Sequence, residues 1–347
     1  MLKIKKAVCM GEVENMILTF KVRQEKNFSL ELQKARQIAE FALATKTRSS
    51  KNVKQFGLKS AIANQILRKY SSNKSLKRVG SVKLTVPSQS IKVEEGELKI
   101  PCLKLGIPIT FRRDFTKVNQ IELDSESAFV SVTIPEPPMK VVSNWIGVDR
   151  NATGHTAVVS DPKSGKVFKL GKRAQHIRNK YRAIRKRLQE AGKYRKVKTM
   201  RNLESRIAKD INHKVSKKIL DIAERTESGI KLEKLGEIRK SRRHTKSFNA
   251  TLHSWSFYQL QSFLQYKARL RGIPIVFVEP RNTSKECSRC GSEGARIGKN
   301  FVCQCGHVDH ADANAGFNIA MRPNIGQSIA DRDAVEGNAD IPRGATL

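Results

Sequence analysis

The chain has 347 residues, 39% of them hydrophobic, which is enough to bury sizeable cores in two or three domains and excludes a disordered polyelectrolyte. Its net charge of +35, with pI near 10.2, is self-repulsive far beyond what solubility needs, so a polyanion is expected to neutralise it and nucleic acid is the leading partner. No apolar run reaches transmembrane length and Met1 to Leu18 lacks a signal-peptide pattern, so a membrane is excluded as partner and a cytoplasmic protein is expected.

In chain order, Ala7 to Val22 alternates apolar and polar residues among β-formers, predicting a half-buried strand. From Ser29 to about Tyr70 apolar residues recur at helical spacing among lysines and arginines, predicting basic helices. Strand character returns from Val79 to about Pro135 in the runs SVKLTV, LKIPCLKL and AFVSVTI, so a β module split by a helical insert is expected. The cluster Pro135-Glu136-Pro137-Pro138 predicts a boundary, with a second domain opening near Val141. That domain begins with WIGVDR, TAVVSD and VFKL, three strands joined by tight turns. Long basic helices are predicted from Lys172 to about Thr226, where sparse aromatics (Tyr181, Tyr194) favour reading a duplex backbone over stacking single-stranded bases. There follow GIKLEKL, a Lys/Arg-rich loop through Arg243 and Lys246, an amphipathic helix from Asn249 to about Arg271, the buried-strand candidate IPIVFVEP, a cysteine segment and the helix DANAGFNIA. Beyond Arg322 the composition predicts a disordered tail.

Three acidic residues stand out in so basic a chain. Asp149 ends an apolar strand in a β-β-β start, the arrangement by which RNase H-like folds hold a first metal-binding carboxylate; Glu233 is embedded in an apolar run, and Asp312 opens a small-residue helix. Each alone has an ordinary explanation: a turn aspartate, a carboxylate paired with Lys231 or Lys234, and a helix N-cap. Together they suit a two-metal phosphodiesterase, which holds two Mg²⁺ ions about 3.5–4 Å apart on a few hard oxygen ligands.

Cys287-x2-Cys290 and Cys303-x-Cys305 are two close thiol pairs, each followed by glycine, and predict one tetrahedral structural Zn²⁺ site with no open position. The second pair is one residue shorter than usual, leaving His307 and His310 as substitute ligands. Cys9 and Cys102, in strand-like segments, are expected to be plain core residues.

The runs GVDRN, IKLEKLG, FNATLHSWSFYQLQSFLQYKARLRGIPIVFVEPRNTSKECSRCG and FVCQCGHVDHADANAGFNIA resemble the TnpB (OrfB) proteins of insertion sequences, relatives of the type V CRISPR effectors. The resemblance is motif-dense from about Val141 to Ala320 and architectural before it. It implies an α/β fold: an RNase H-like (RuvC) nuclease domain over 141–282 and 308–322, interrupted by a zinc ribbon at 283–307. It also implies a β-barrel-like wedge domain over 1–28 and 79–140, a helical recognition insert at 29–78 and a tail at 323–347. Asp149, Glu233 and Asp312 match the three RuvC carboxylates; Glu279 and Asp309 lie beside the motifs and stay outside the triad. Arg150-Asn151 stands where Leu-Gly is common. The implied activity is RNA-guided DNA endonuclease on double-stranded DNA beside a short adjacent motif, one monomer per guide RNA. The alternatives are a nuclease-inactive guided repressor and a zinc-ribbon DNA-binding accessory protein of transposition.

Overall fold

The computed structural model describes residues 15–235, except Lys74, Arg112 and Ala152, and residues 257–324. Cys9, the start of the first strand, the loop through Arg243 and Lys246, the start of the amphipathic helix and the tail from 325 lie outside the described residues. Two compact units meet in sequence between Glu136 and Pro137, inside the proline cluster and four residues before Val141. The cysteine segment is part of the second unit. No helix among the described residues is long and apolar enough to cross a membrane.

The first unit contains β1 (Asn15–Arg23), α1 (Ser29–Thr45), α2 (Ser60–Ser71), β2 (Leu84–Pro87), β3 (Lys92–Glu94), β4 (Glu97–Ile100), β5 (Leu105–Pro108), β6 (Lys117–Leu123) and β7 (Ser127–Pro135). Strands β1-β7-β6-β2 form an open antiparallel sheet, with Met16 paired to Ile134 and Val22 to Ala128, so alternate residues of each strand enter one core. Strands β3-β4-β5 form a separate three-stranded sheet, and among the described residues backbone pairing does not close the strands into the expected barrel. The run LKIPCLKL is broken at Pro101, which cannot donate to a ladder; Cys102 sits half-buried in the resulting turn, not in a strand core.

The second unit contains β8 (Asn144–Arg150), β9 (Ala157–Asp161), β10 (Lys166–Leu170), α3 (Arg173–Glu190), α4 (Tyr194–Arg225), β11 (Ser228–Glu233), α5 (Phe257–Arg269), β12 (Ile275–Val278), β13 (Ala295–Ile297), β14 (Asn300–Val302), β15 (Val308–His310) and α6 (Ala311–Met321). Its five-stranded sheet runs β10-β9-β8-β11-β12, with β8, β9 and β10 antiparallel and β8, β11 and β12 parallel. One face carries Ile146, Val148, Val159, Ile230, Leu232 and Phe277 into a core with Ile219, Ala223, Leu260 and Leu264 from α4 and α5. Because side chains alternate, the opposite face receives Gly147 and Asp149 from β8, Ser160 from β9, and Lys231 and Glu233 from β11.

Helix α6 lies on that second face, and its run of small residues explains how closely. A Cβ on Gly147 would sit 2.0 Å from the Gly316 carbonyl oxygen and 2.5 Å from the Ala320 nitrogen, so helix backbone packs directly on strand backbone. Ser160 Oγ donates to the Ala313 carbonyl oxygen at 3.0 Å, anchoring the first turn. Lys231, buried and donating from Nζ to the Arg322 carbonyl oxygen, satisfies the helix C-terminus. This contact takes Lys231 away from Glu233.

Candidate active site and metal centre

Asp149 and Glu233 are the next residues on β8 and β11 after the paired Val148 and Leu232, so the parallel register sets them side by side at the carboxyl ends of adjacent strands. Asp312, in the first turn of α6, arrives on the same face. Burial pushes the Asp149 carboxyl up to about 7, with the Glu233 and Asp312 charges adding to the effect and a hydrogen bond from Asn151 opposing it. Burial also raises Glu233, partly offset by the Thr283 hydroxyl and the Arg150 and Arg322 charges.

Each carboxylate has its own support. Asn151 Nδ2 donates to Asp149 Oδ2 at 2.9 Å. Thr283 Oγ1 donates to Glu233 Oε1. Arg150, 5% exposed, donates from Nη1 to Gln261 Oε1 at 2.8 Å and from Nη2 to the Glu233 carbonyl oxygen, tying β8 to α5 and to the end of β11. Asp312, fully buried, accepts from Arg296 Nη2 at 3.0 Å and Lys299 Nζ at 2.6 Å, two cations carried by the β13–β14 hairpin. His310 caps α6, accepting at Nδ1 from the Asp312 N–H at 3.3 Å. The Asp312 carboxylate is therefore free of the capping duty the sequence suggested for it. Glu279 is exposed, and the Asp309 carboxylate accepts from the His310 N–H, so neither joins the cluster.

Hard oxygen donors from two strands and a helix suit a hydrated Mg²⁺, and a bound cation would offset both the burial and the neighbouring negative charges that raise Asp149. Among the described residues only the four thiols bring three or more ligand atoms within 4.8 Å of one another; the carboxylates are more open.

The thiols of Cys287, Cys290, Cys303 and Cys305 converge despite the short second pair, with Cys287–Cys305 and Cys290–Cys303 Sγ separations of 3.7 and 3.6 Å. They cannot all ionise without a cation. The Ser292 N–H pulls Cys290 down to about 6, while Cys305, although favoured by the His307 N–H, is pushed up to about 12 by its neighbouring thiols. The donor set fits zinc without a histidine: His310 is the cap, and His307 lies beside Phe301.

A second surface has the expected charge. Helix α3 buries only Tyr181, and the buried residues of α4 begin at Ile211, so α3 and the first half of α4 form a basic hairpin held together by the Arg185–Glu204 ion pair. Burial and the neighbouring Arg182 and Arg201 hold the Arg185 guanidinium below its ordinary range, a crowding that a polyanion relieves.

Sequence reasoning missed Thr283, Asn151, Arg150, Arg296 and Lys299. The Arg150-Asn151 departure was visible, but only the fold shows both side chains turned inward.

Residues 257–319 match the model of the Cas12f1-like TNB domain. The chain is 36% identical over 148 residues to the CRISPR-associated endodeoxyribonuclease Cas12f1 of Sulfoacidibacillus thermotolerans, a match covering 40% of this chain and 33% of that one. It is 34% identical over 162 residues to a TnpB-like protein of Aquifex aeolicus, covering 44% and 52% of the two chains. A TnpB-like protein of Methanocaldococcus jannaschii is 32% identical over 160 residues, covering 44% and 57%. The matched stretches thus span a third to a little over half of these relatives' lengths. A cryo-EM structure of a Cas12f1-sgRNA-target DNA complex aligns with a TM-score of 0.45 at 18% identity, covering 88% of this chain and 99% of that one. The chain is thus similar, over less than half of its length, to TnpB-like proteins and to Cas12f endodeoxyribonucleases, and its residues 257–319 carry the Cas12f1-like TNB pattern.

Proposed function

We propose that the protein is an RNA-guided DNA endonuclease, encoded by an insertion sequence, that hydrolyses phosphodiester bonds of double-stranded target DNA beside a short adjacent motif. The observation that carries the proposal is the convergence of Asp149, Glu233 and Asp312, far apart in sequence, at one end of one sheet face. In this reading the second unit is a RuvC-like nuclease domain with an inserted zinc ribbon, and the first is a wedge domain with α1 and α2 as its recognition insert. The relatives' names, endodeoxyribonuclease and TnpB-like, support it.

Asp149, Glu233 and Asp312 would hold two Mg²⁺ ions, which when bound supply Lewis acidity and an activated water at neutral pH. The protein's share is positional. Burial keeps Asp149 and Asp312 in a low-dielectric pocket, and Asn151 fixes the orientation of Asp149. Arg296 and Lys299 place positive charge where a scissile phosphate would arrive. Cys287, Cys290, Cys303 and Cys305 would hold one structural Zn²⁺ that shapes the hairpin carrying those cations. The α3–α4 hairpin supplies backbone contacts to a guide RNA or heteroduplex, with one monomer per guide, in the cytoplasm.

The test is to express the gene with its downstream flank, purify the complex and assay Mg²⁺-dependent cutting of a plasmid library matched to co-purified RNA, beside Asp149→Ala. Cutting that requires RNA, metal and Asp149 is expected. RNA-directed binding without cutting would replace this reading with a guided repressor.

A further inference from the structure

The segment between β12 and the first zinc knuckle has no regular structure, yet it is held by one face of α6 more firmly than a connector requires. Asn314, fully buried, donates from Nδ2 to the Glu286 carbonyl oxygen at 2.7 Å and accepts from the Ser288 N–H at 2.8 Å, inside the Cys287–Cys290 knuckle. One turn on, Asn318 Nδ2 donates to the Thr283 and Glu286 carbonyl oxygens at 2.8 and 2.7 Å. Another turn on, Arg322 donates to the Glu279 carbonyl oxygen at 2.8 Å and to Glu286 Oε2 at 2.7 Å. Two successive turns of α6 and the residue that caps its C-terminus thus clamp residues 279–288.

The result of that clamp is Thr283. Its side chain is 3% exposed, and its hydroxyl proton goes to Glu233 Oε1, the Pro280 carbonyl oxygen lying at 3.2 Å as the longer acceptor. Glu233 ends a strand, so its carboxylate would otherwise turn freely about its side-chain torsions. Resting on the nuclease reading above, we infer that Thr283 is the positioning residue for the Glu233 carboxylate. The Asn314–Asn318–Arg322 ladder sets its place, so that the helix delivering Asp312 also orients Glu233 and ties both to the zinc knuckle. A packing role alone needs no hydroxyl aimed at a carboxylate.

The deciding experiment uses the zinc-loaded full chain without nucleic acid and measures binding of Mn²⁺, a spectroscopic stand-in for Mg²⁺, by electron paramagnetic resonance. Thr283→Ser and Thr283→Ala differ by one hydroxyl. Outer-shell hydrogen bonds typically change metal affinity about 10–100-fold, so Ala is expected to bind Mn²⁺ that much more weakly while Ser stays within about threefold of wild type. Asn318→Ala should weaken binding in the same direction, and its combination with Thr283→Ala should add little, because both cut one route. Equal Mn²⁺ affinity in the Ser and Ala variants overturns the inference. A wild-type chain with no Mn²⁺ site sensitive to Asp149→Asn and Asp312→Asn overturns the nuclease reading itself, a result distinct from the first.

Discussion

Replacing Asp149 with asparagine is expected to make the magnesium-free protein more stable, and more so at alkaline pH. The ordinary aspartate value is 3.8 and burial beside Glu233 and Asp312 moves it to about 7, so the native state keeps a proton that the unfolded chain releases. The linkage sign follows: this group's contribution is fully present below about pH 4, falls as pH rises toward 7, and is flat above. At 1.36 kcal/mol per pH unit, the interval caps the cost of ionised Asp149 at about 4 kcal/mol, of which roughly 2–3 kcal/mol accrues between pH 5 and pH 8. Asparagine keeps an oxygen to accept from Asn151 Nδ2 and carries no charge. For a unit of this size, about 2–4 °C per kcal/mol applies, so the variant's advantage in Tm should grow by about 5–10 °C from pH 5 to pH 8. Scanning calorimetry of zinc-loaded, magnesium-free protein reads it directly. Millimolar Mg²⁺ should then raise the wild-type Tm and leave the variant's unchanged, because a ligand stabilises only the state that binds it. An advantage equal at both pH values, or a variant less stable at pH 8, would refute the claim that burial, reinforced by the neighbouring carboxylates, penalises ionised Asp149. If the prediction holds, the residues that would bind the metal reduce stability without it, the usual trade at a pre-organised site.

Gly147→Ala is expected to cost about 1–3 kcal/mol or more, since a methyl there meets α6 backbone that cannot turn aside, and to weaken Mn²⁺ binding by displacing Asp312; denaturant titration with Mn²⁺ resonance checks both. Lys299→Ala removes a cation competing for Asp312, and at about 1 kcal/mol for this part-exposed pair Mn²⁺ should bind about fivefold tighter while cleavage falls. Cys303→Ser should lower zinc content and Mn²⁺ affinity together, because the ribbon holds the α6 ladder; unchanged Mn²⁺ binding in zinc-depleted protein would separate the two centres. Arg182→Gln with Arg201→Gln should weaken RNA binding and make its log-log salt slope shallower by about 2, one per lost phosphate contact, as filter binding at several salt concentrations would show.

Patterns repeating within a few residues were legible in the sequence. Short apolar runs marked β8 and β9, helical spacing marked α1 and α2, prolines marked the division at Glu136, and paired thiols marked the four-cysteine cluster, whose shortened second pair still closes because knuckle turns place the sulfurs. The three acidic residues were visible as candidates, since carboxylates in apolar or small-residue settings are costly without a purpose. Their proximity was not, because it depends on the parallel register of β8 with β11 and on the absence of Cβ atoms at Gly147 and Gly316, both long-range facts. The same holds for the supporting residues. Thr283 looks like a loop threonine until Asn314 and Asn318 fold its loop onto β11, and Arg296 and Lys299 look like ribbon surface until the hairpin turns them onto Asp312. Local sequence determines which elements form and which residues are chemically unusual; only tertiary packing decides which of those residues meet, because the contacts that join them span 50 positions for Thr283–Glu233 and 153 for Ser160–Ala313.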